Sequence, residues 1–300
     1  MFSPDGSKFV IVGYGTRVWD TRTLQPVTEP LNQKGSVLSV SFSPDGSRIA
    51  SGDDTGEVIV WNISTGRPIT SFKQPLGVVS IAFDTRGERI VSAGISGKAW
   101  IWNALTGQEM KLLEHKGQIN DVVFGPDGSL VATASDDHTT RVWDAATGAV
   151  IARMTHQDKV NSVRFSSDGK HIVTASDDKT ARIWNVNTGI QVGSAFVHEG
   201  SVNHAAFSPD SGLLMTLSSR VRIWKPHMQS SNVRIFKNGT HLESAQFNSD
   251  GTLVLAASWD GSAPIWDLRS GRLLEPSIHH GEVVMPNDNR APRREVYSAI

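Results

Sequence analysis

The sequence predicts an all-β fold of seven tandem units, each a small antiparallel sheet of four strands. Two periodic signals carry this reading. The first is a set of seven tryptophans, Trp19, Trp61, Trp102, Trp143, Trp184, Trp224 and Trp266, separated by 42, 41, 41, 41, 40 and 42 residues. So regular a spacing marks one supersecondary unit repeated along the chain. The second is a set of seven phenylalanines that each open a turn: Phe2-Ser-Pro-Asp-Gly6, Phe42-Ser-Pro-Asp-Gly46, Phe83-Asp-Thr-Arg-Gly87, Phe124-Gly-Pro-Asp-Gly128, Phe165-Ser-Ser-Asp-Gly169, Phe207-Ser-Pro-Asp-Ser-Gly212 and Phe247-Asn-Ser-Asp-Gly251.

The elements of one unit follow in order. A short apolar run such as Val37-Leu-Ser-Val-Ser-Phe42 enters the turn, and Arg48-Ile-Ala-Ser51 leaves it. Pro fixes φ near the start of such a turn, and Asp and Gly supply the bend, so the pair of runs reads as a hairpin. A third run ends on the tryptophan, as in Thr140-Arg-Val-Trp143. A turn carrying Thr-Gly follows, at Thr65-Gly66, Thr106-Gly107, Thr147-Gly148 and Thr188-Gly189, and a fourth run such as Ala149-Val-Ile-Ala-Arg153 closes the unit. Four strands in about forty residues is the content of one propeller blade. No window sustains the i, i+3, i+4, i+7 apolar pattern of a helix.

These motifs identify the chain as similar to the WD-repeat (WD40) β-propellers. The resemblance rests on the Phe-Ser-Pro-Asp-Gly turns, on Trp19-Asp20, Trp143-Asp144 and Trp266-Asp267, and on Ser135-Asp-Asp-His-Thr-Thr-Arg-Val-Trp-Asp144. Trp61-Asn62, Trp102-Asn103 and Trp184-Asn185 are common relatives of Trp-Asp. The resemblance covers residues 1 to about 275. It implies a seven-bladed propeller of four-stranded antiparallel blades, closed into a ring around a central channel.

Composition narrows the function classes. Lys and Arg number 29 against 30 Asp and Glu, a net charge of −1, which gives no general attraction to nucleic acid or anionic membranes. No apolar stretch approaches the ~18 residues of a membrane span, and no signal peptide is visible at the start. The chain has no cysteine, hence no disulfide framework and no thiolate chemistry. Together these predict an intracellular protein, cytoplasmic or nuclear, that is a monomer or a subunit of a larger assembly.

The resemblance also implies a buried hydrogen-bond network of His, Ser or Thr, Asp and Trp. Two blades match fully: His115, Ser135, Asp137 and Trp143, and His156, Ser176, Asp178 and Trp184. Because each set recurs in register with its tryptophan, it reads as packing rather than as a catalytic triad, and no Gly-x-Ser-x-Gly elbow accompanies it. Elsewhere the pattern departs. Gln33 and Gln74 replace His, Ser96 stands where Asp would, Asn238 takes the His position of blade seven, and blade one has only Gly-Tyr-Gly-Thr before Trp19. Blade seven keeps Ser258, Asp260 and Trp266, and blade six keeps His198, Thr216 and Trp224 but has a shortened hairpin, Leu217-Ser-Ser-Arg220, without Asp. Blades four and five are therefore expected to be the most rigid. The doublets Asp53-Asp54, Asp136-Asp137 and Asp177-Asp178 read as turn chemistry. No metal site, cofactor loop or catalytic residue is expected.

In WD propellers the face carrying the turn between second and third strands is the usual docking surface. Residues just before the network Asp point into its mouth: Asp136, Asp177 and Trp259. So do those four and three places before the turn Phe: Leu38, Ser39, Val79, Ser80, Asn120, Asp121, Asn161, Ser162, Asn203, His204, Glu243 and Ser244. Trp259 among Asp121, Asp136, Asp177 and Glu243 suits an Arg or Lys side chain through cation–π and charge-assisted contacts. The other off-beat tryptophan, Trp100, is expected to fill space between blades.

The ends of the chain complete the reading. Met1-Phe2 looks like the last step of an inner strand, and His279-His-Gly-Glu-Val283 repeats the form of His198-Glu-Gly-Ser-Val202. Residues 1–285 are thus expected to form the propeller, with 279–285 completing blade one and 286–300 a mobile tail. The leading functional expectation is a non-enzymatic scaffold that binds a protein or peptide, a cationic one among the candidates, at the channel mouth. The alternatives are the recognition module of a longer protein and a propeller-framed enzyme.

Overall fold

The computed structural model describes residues 1–12, 16–226, 234–236, 242–248, 250–258 and 262–279, with only the backbone at 243 and 275–279. Among these residues there are seven antiparallel sheets, and every sheet uses strands consecutive in sequence. Six have four strands. Blade four, for example, runs through Ile119–Phe124, Leu130–Ser135, Thr139–Asp144 and Val150–Thr155. Blade one has Lys8–Ile11 paired with Arg17–Asp20, flanked by the isolated bridges Phe2↔Phe9 and Trp19↔Pro26. The Phe2 bridge puts Met1-Phe2 where an inner strand would end. Of residues 279–285, expected to complete that blade, His279 instead ends the fourth strand of blade seven, Leu273–His279, opposite Ser262, while 280–285 and the tail 286–300 lie outside the described residues.

The turns work as the sequence suggests. In Phe42-Ser-Pro-Asp-Gly46, the Ser43 hydroxyl donates to Asp45 Oδ1 at 2.5 Å and accepts the Arg48 N–H at 2.9 Å. Gly46 sits at φ +65°, a conformation open to a residue without Cβ. At the other hairpin, Asp144 Oδ1 accepts the N–H groups of Ala146 and Thr147 and the Thr147 hydroxyl. Asn62, Asn103 and Asn185 use Oδ1 in the same way. The turn needs one acceptor oxygen, so Trp-Asn serves as well as Trp-Asp.

Apolar clusters lie between successive blades rather than inside any one of them. Val131, Trp143 and Ala145 of blade four pack on Val91, Ala93 and Ile101 of blade three, and Trp184 and Ile172 of blade five on Ala132, Val142 and Met154 of blade four. Equivalent clusters join one to two, two to three, five to six and six to seven. Each buried indole removes about 200 Å² from water, a gross gain on the order of 5 kcal/mol, which is why the tryptophan marks the repeat. Trp100 lies in the cluster between blades two and three, its ring centroid 6.3 Å from that of Trp102. It fills interblade space.

A bulge sets the geometry of the inner strands. In blades two to five and seven, the pairing of the inner strand slips by one residue, at Leu38, Val79, Asn120, Asn161 and Glu243. A bulge re-aims one side chain out of the strict alternation of a strand. Two successive residues can therefore face the same way, toward the axis around which the sheets stack.

Candidate functional site

One cavity of about 340 Å³ collects residues from all seven sheets: Met1 and Val12, Leu38 and Ser39, Val79 and Ser80, Asn120 and Asp121, Asn161 and Ser162, Asn203 and His204, and Ser244. Every position four or three places before the turn phenylalanine lines it, apart from Glu243, which stands at the blade-seven bulge and whose side chain lies outside the described residues. Trp259 and Asp260 also lie outside them.

The lining is stitched from blade to blade. Ser80 Oγ accepts the Val122 N–H at 3.2 Å, Asp121 Oδ2 the Val163 N–H at 2.9 Å, and Ser162 Oγ the Ala205 N–H at 3.1 Å. Asn120 donates through Nδ2 to Asp136 Oδ1 at 2.8 Å and to the Val160 carbonyl at 3.0 Å. Asn161 repeats this with Asp177 Oδ1 and the Val202 carbonyl. Side chains assigned to a partner on sequence grounds are thus partly spent on holding neighbouring blades together.

Asp121 requires a correction. The expectation placed it among free acids at the mouth. Its carboxylate is buried, ion-paired with Arg164 and bonded to Val163 N–H and to the Ser80 hydroxyl. Its counter-cation thus comes from within the chain. Arg164 was missed, although the sequence carried a signal. The residue before the turn Phe is Ser41, Ala82, Val123 and Ala206 in other blades, and only blade five has a cation there. The position of Asp121 is likewise Ser39, Ser80 and Ser162 in its neighbours. Two lone opposite charges one blade apart form a pair. Beside them His204 is held neutral, its pKa lowered to about 3 by burial and by the Arg164 charge.

Asp136 and Asp177 stand higher, on the turns between second and third strands. Asp136 Oδ2 meets Lys159 Nζ at 2.9 Å, and Asp177 and Asp158 also act on that ammonium. Blade three differs: Ile95 occupies the position of Asp136, and both Ile95 and Leu76 are 49 % exposed. The rim is acidic and amide-rich over blades four and five and apolar over blade three.

The network behind the rim is a relay whose direction the carboxylate fixes, since an ionised Asp can only accept and a neutral imidazole must then carry its one proton on the nitrogen facing it. In blade four Trp143 Nε1–H donates to Thr133 Oγ1 at 2.9 Å, Thr133 lies 2.7 Å from His115 Nε2, and His115 Nδ1 lies 2.9 Å from Asp137 Oδ2. The Thr133 hydroxyl therefore donates to Nε2, and Nδ1–H to the carboxylate. Blade five repeats the relay through Trp184, Thr174, His156 and Asp178. The hydroxyl is the residue ten before the tryptophan, not eight. Ser135 and Ser176 instead end the second strand beside the hairpin turn, accepting the N–H of Asp137 and Asp178 and donating to the Gly117 and Asp158 carbonyls. Burial alone would raise the Asp137 and Asp178 carboxyls. Bonds from Thr139 or Thr180, from a backbone N–H and from the histidine outweigh it and hold both at about 2.

Blades two and three depart from the His and Asp of the pattern as read, yet a hydrogen-bonded relay still runs through them. Trp61 Nε1–H donates to Ser51, Ser51 to Gln33 Oε1 at 2.5 Å, and Gln33 Nε2 to the Glu57 carbonyl. Trp102, Ser92 and Gln74 do the same, ending on the Leu76 carbonyl. A glutamine amide carries an acceptor and a donor on one carbon, as a neutral imidazole carries them on two ring nitrogens, so it substitutes without stranding a group. In blade six Trp224 donates to Thr216 at 2.7 Å, but neither ring nitrogen of the buried His198 has a hydrogen-bond partner. In blade seven Ala256 stands ten before Trp266 and brings no hydroxyl.

Among the described residues no group of three or more His, Cys, Asp or Glu side chains is placed to hold a metal ion. The relay geometry is built for packing, and the mouth presents charged, amide and apolar surface.

Comparison with known families agrees with the repeat. The WD domain, G-beta repeat family matches residues 149–185 and 231–267. The nucleolar protein 10-like N-terminal domain, a β-propeller family, matches residues 16–144. WD-repeat propellers typically serve protein interaction and are typically non-enzymatic. With its tryptophan-keyed sheets stacked in sequence order and matched over most of their length, the chain belongs to the WD-repeat β-propeller family.

Proposed function

We propose that the protein is a non-enzymatic scaffold that docks a protein or peptide on the face bearing the channel mouth, with blade seven and residues 280–285 closing the ring onto blade one. The observation that carries this is the lopsided rim around a cavity shared by all seven sheets. An exposed apolar sector at Leu76 and Ile95 and an acidic one at Asp136 and Asp177 together suit a segment with one apolar and one cationic side chain. Asp121 is not part of this reading. Trp259 and Glu243 remain in it as rim residues of blade seven.

The test uses a photo-crosslinking amino acid at Asp158, on the mouth face, and at Asp127, in a turn at the opposite end of blade four. A partner captured from position 158, lost at high salt and lost in the Asp136→Lys/Asp177→Lys variant, is expected. Equal capture from both positions, or capture indifferent to charge reversal and salt, would sink the reading.

A further inference from the structure

Blade six departs from blades four and five at one point, and the departure leaves donors without an acceptor. In blade four a single oxygen, Asp137 Oδ2, receives three donors: His115 Nδ1 at 2.9 Å, the Lys116 N–H at 3.1 Å and Arg141 Nη2 at 3.5 Å. In blade five Asp178 Oδ2 receives His156 Nδ1 at 2.8 Å, the Gln157 N–H at 3.1 Å and Arg182 Nη2 at 3.2 Å. Blade six retains all three donors as His198, the Glu199 N–H and Arg222. Their scaffold is the same. The His198 N–H donates to the Lys179 carbonyl at 2.9 Å, as the His156 N–H does to that of His138. Arg222 Nη1 donates to the Val197 carbonyl, as Arg141 Nη1 does to that of Glu114. The His198 ring stands on Trp224 at 5.7 Å and 67°, against 5.7 Å and 71° for His156 on Trp184.

What has gone is the carboxylate. The hairpin between second and third strands is two residues shorter, with Thr216 eight rather than ten before its tryptophan, and no Asp stands in it. His198 is 5 % exposed and both its ring nitrogens are unpartnered. There is also room. In blade four a Cβ built on Gly117 would collide with the Asp-bearing turn, meeting Asp137 N at 2.9 Å. In blade six a Cβ on the matching Gly200 would meet only Ser218 Oγ, at 3.7 Å. Glu199, 82 % exposed and 3.9 Å from Arg222 Nη2, makes no bond to His198.

We infer that blade six carries a carboxylate-binding site, formed by His198, the Glu199 N–H and Arg222, in which a carboxylate from outside the chain takes the position that Asp137 and Asp178 fill in their own blades. A cation, a backbone N–H and an imidazole N–H converging on one point match a monoanion with an sp² oxygen, and three charge-assisted bonds compensate its desolvation. Entry is through the shortened turn, where Ser219 is exposed. The carboxylate is either a free small acid or the side chain of an acidic residue on another molecule. The site is independent of the mouth.

The test is NMR of the full chain labelled in its histidine rings, titrated near pH 6 with sodium acetate and, at equal ionic strength, with sodium chloride. A saturable shift of the His198 resonances is expected with acetate, while His115 and His156, already served by Asp137 and Asp178, stay in place. Arg222→Gln should weaken the acetate response at least ten-fold. Replacing Ser219–Arg220 by the Asp-Asp-His-Thr of positions 136–139 should move the His198 resonances toward those of His115 without acetate and abolish the titration. A capped Gly-Glu-Gly peptide separates the sources: a response to it as well as to acetate assigns a side chain, a response to acetate alone a free acid. No saturable response to acetate in the intact chain, or an equal response to chloride, overturns the assignment.

Discussion

The guanidinium of Arg164 in blade five reaches back across a blade boundary to the carboxylate of Asp121 in blade four, in the cavity that both line. The pair stands at the level where the two neighbouring boundaries carry a single hydroxyl-to-amide bond each, Ser80 to Val122 and Ser162 to Ala205. Removing one member leaves the other buried and uncompensated, and truncating Asp121 also strands the Val163 N–H. Because the Arg164 side chain keeps 23 % exposure, solvent recovers part of the loss. Asp121→Ala is expected to cost about 2 kcal/mol in urea unfolding, and Asp121→Leu combined with Arg164→Leu less than Asp121→Ala alone. An Asp121→Ala variant as stable as the parent would show the pair to be idle.

Thr133 and Ser135 offer a sharper test, since both are fully buried hydroxyls in one blade. Thr133 serves Trp143 and His115 together, so Thr133→Ala strands two buried groups. Ser135 serves one turn N–H and one carbonyl near the surface. Thr133→Ala should cost about 2–3 kcal/mol and Ser135→Ala about 1 kcal/mol. Thermal unfolding of the two variants checks the order, and Thr133→Ser should restore most of the loss.

The glutamine relays alter the expected distribution of rigidity. Gln74 is buried and its amide spans from Ser92 to the Leu76 carbonyl. Blades two and three should therefore match four and five in amide hydrogen-exchange protection, and blade six should fall below all four. Gln74→Leu, which strands the Ser92 hydroxyl proton, should lower protection in blade three by at least ten-fold while leaving blade five unchanged.

The repeat was legible because every blade needs the same indole and the same turn, and the demand recurs at fixed intervals. The bulge positions were legible too, since the residues four and three before each turn Phe do line one cavity. Three things were not. Ser135 and Thr133 are both hydroxyls on one strand, two places apart and so on the same face, and only their distance along it from the residue paired with Trp143 decides which meets the indole. Gln for His looks like loss when judged by residue type and is conservation when judged by donor and acceptor. Asp121 looked free because its partner, Arg164, is 43 residues away and only blade-to-blade stacking brings them together.

Buried neutral histidines set the acid limit of this protein. Burial lowers His115 and His198 to about 4, with the charges of Arg141 and Arg222 acting in the same direction, and it lowers His204 to about 3. His156 is lowered as well, by burial first. A folded-state pKa below the unfolded value of ~6.5 means that the unfolded chain takes up protons first as pH falls. Stability is full above ~6.5 and declines through the window from 6.5 to about 4, by at most ~1.4 kcal/mol per pH unit for each such histidine. The carboxyls of Asp137 and Asp178, held at about 2, work in the same direction in a lower window, from about 3.8 down to 2. The melting temperature should therefore begin to fall near pH 6, well before carboxylates titrate. His198 allows the cause to be isolated, because its ring nitrogens make no bond that a substitution would break. In a chloride buffer without carboxylate, His198→Leu should be neutral or stabilising at pH 7 and should flatten the decline between pH 6.5 and 4 by one histidine's share. His115→Leu, by contrast, should destabilise at pH 7, since it strands Thr133 and Asp137. A melting temperature flat from pH 7 to 4.5 would mean that these rings are protonated in the folded state.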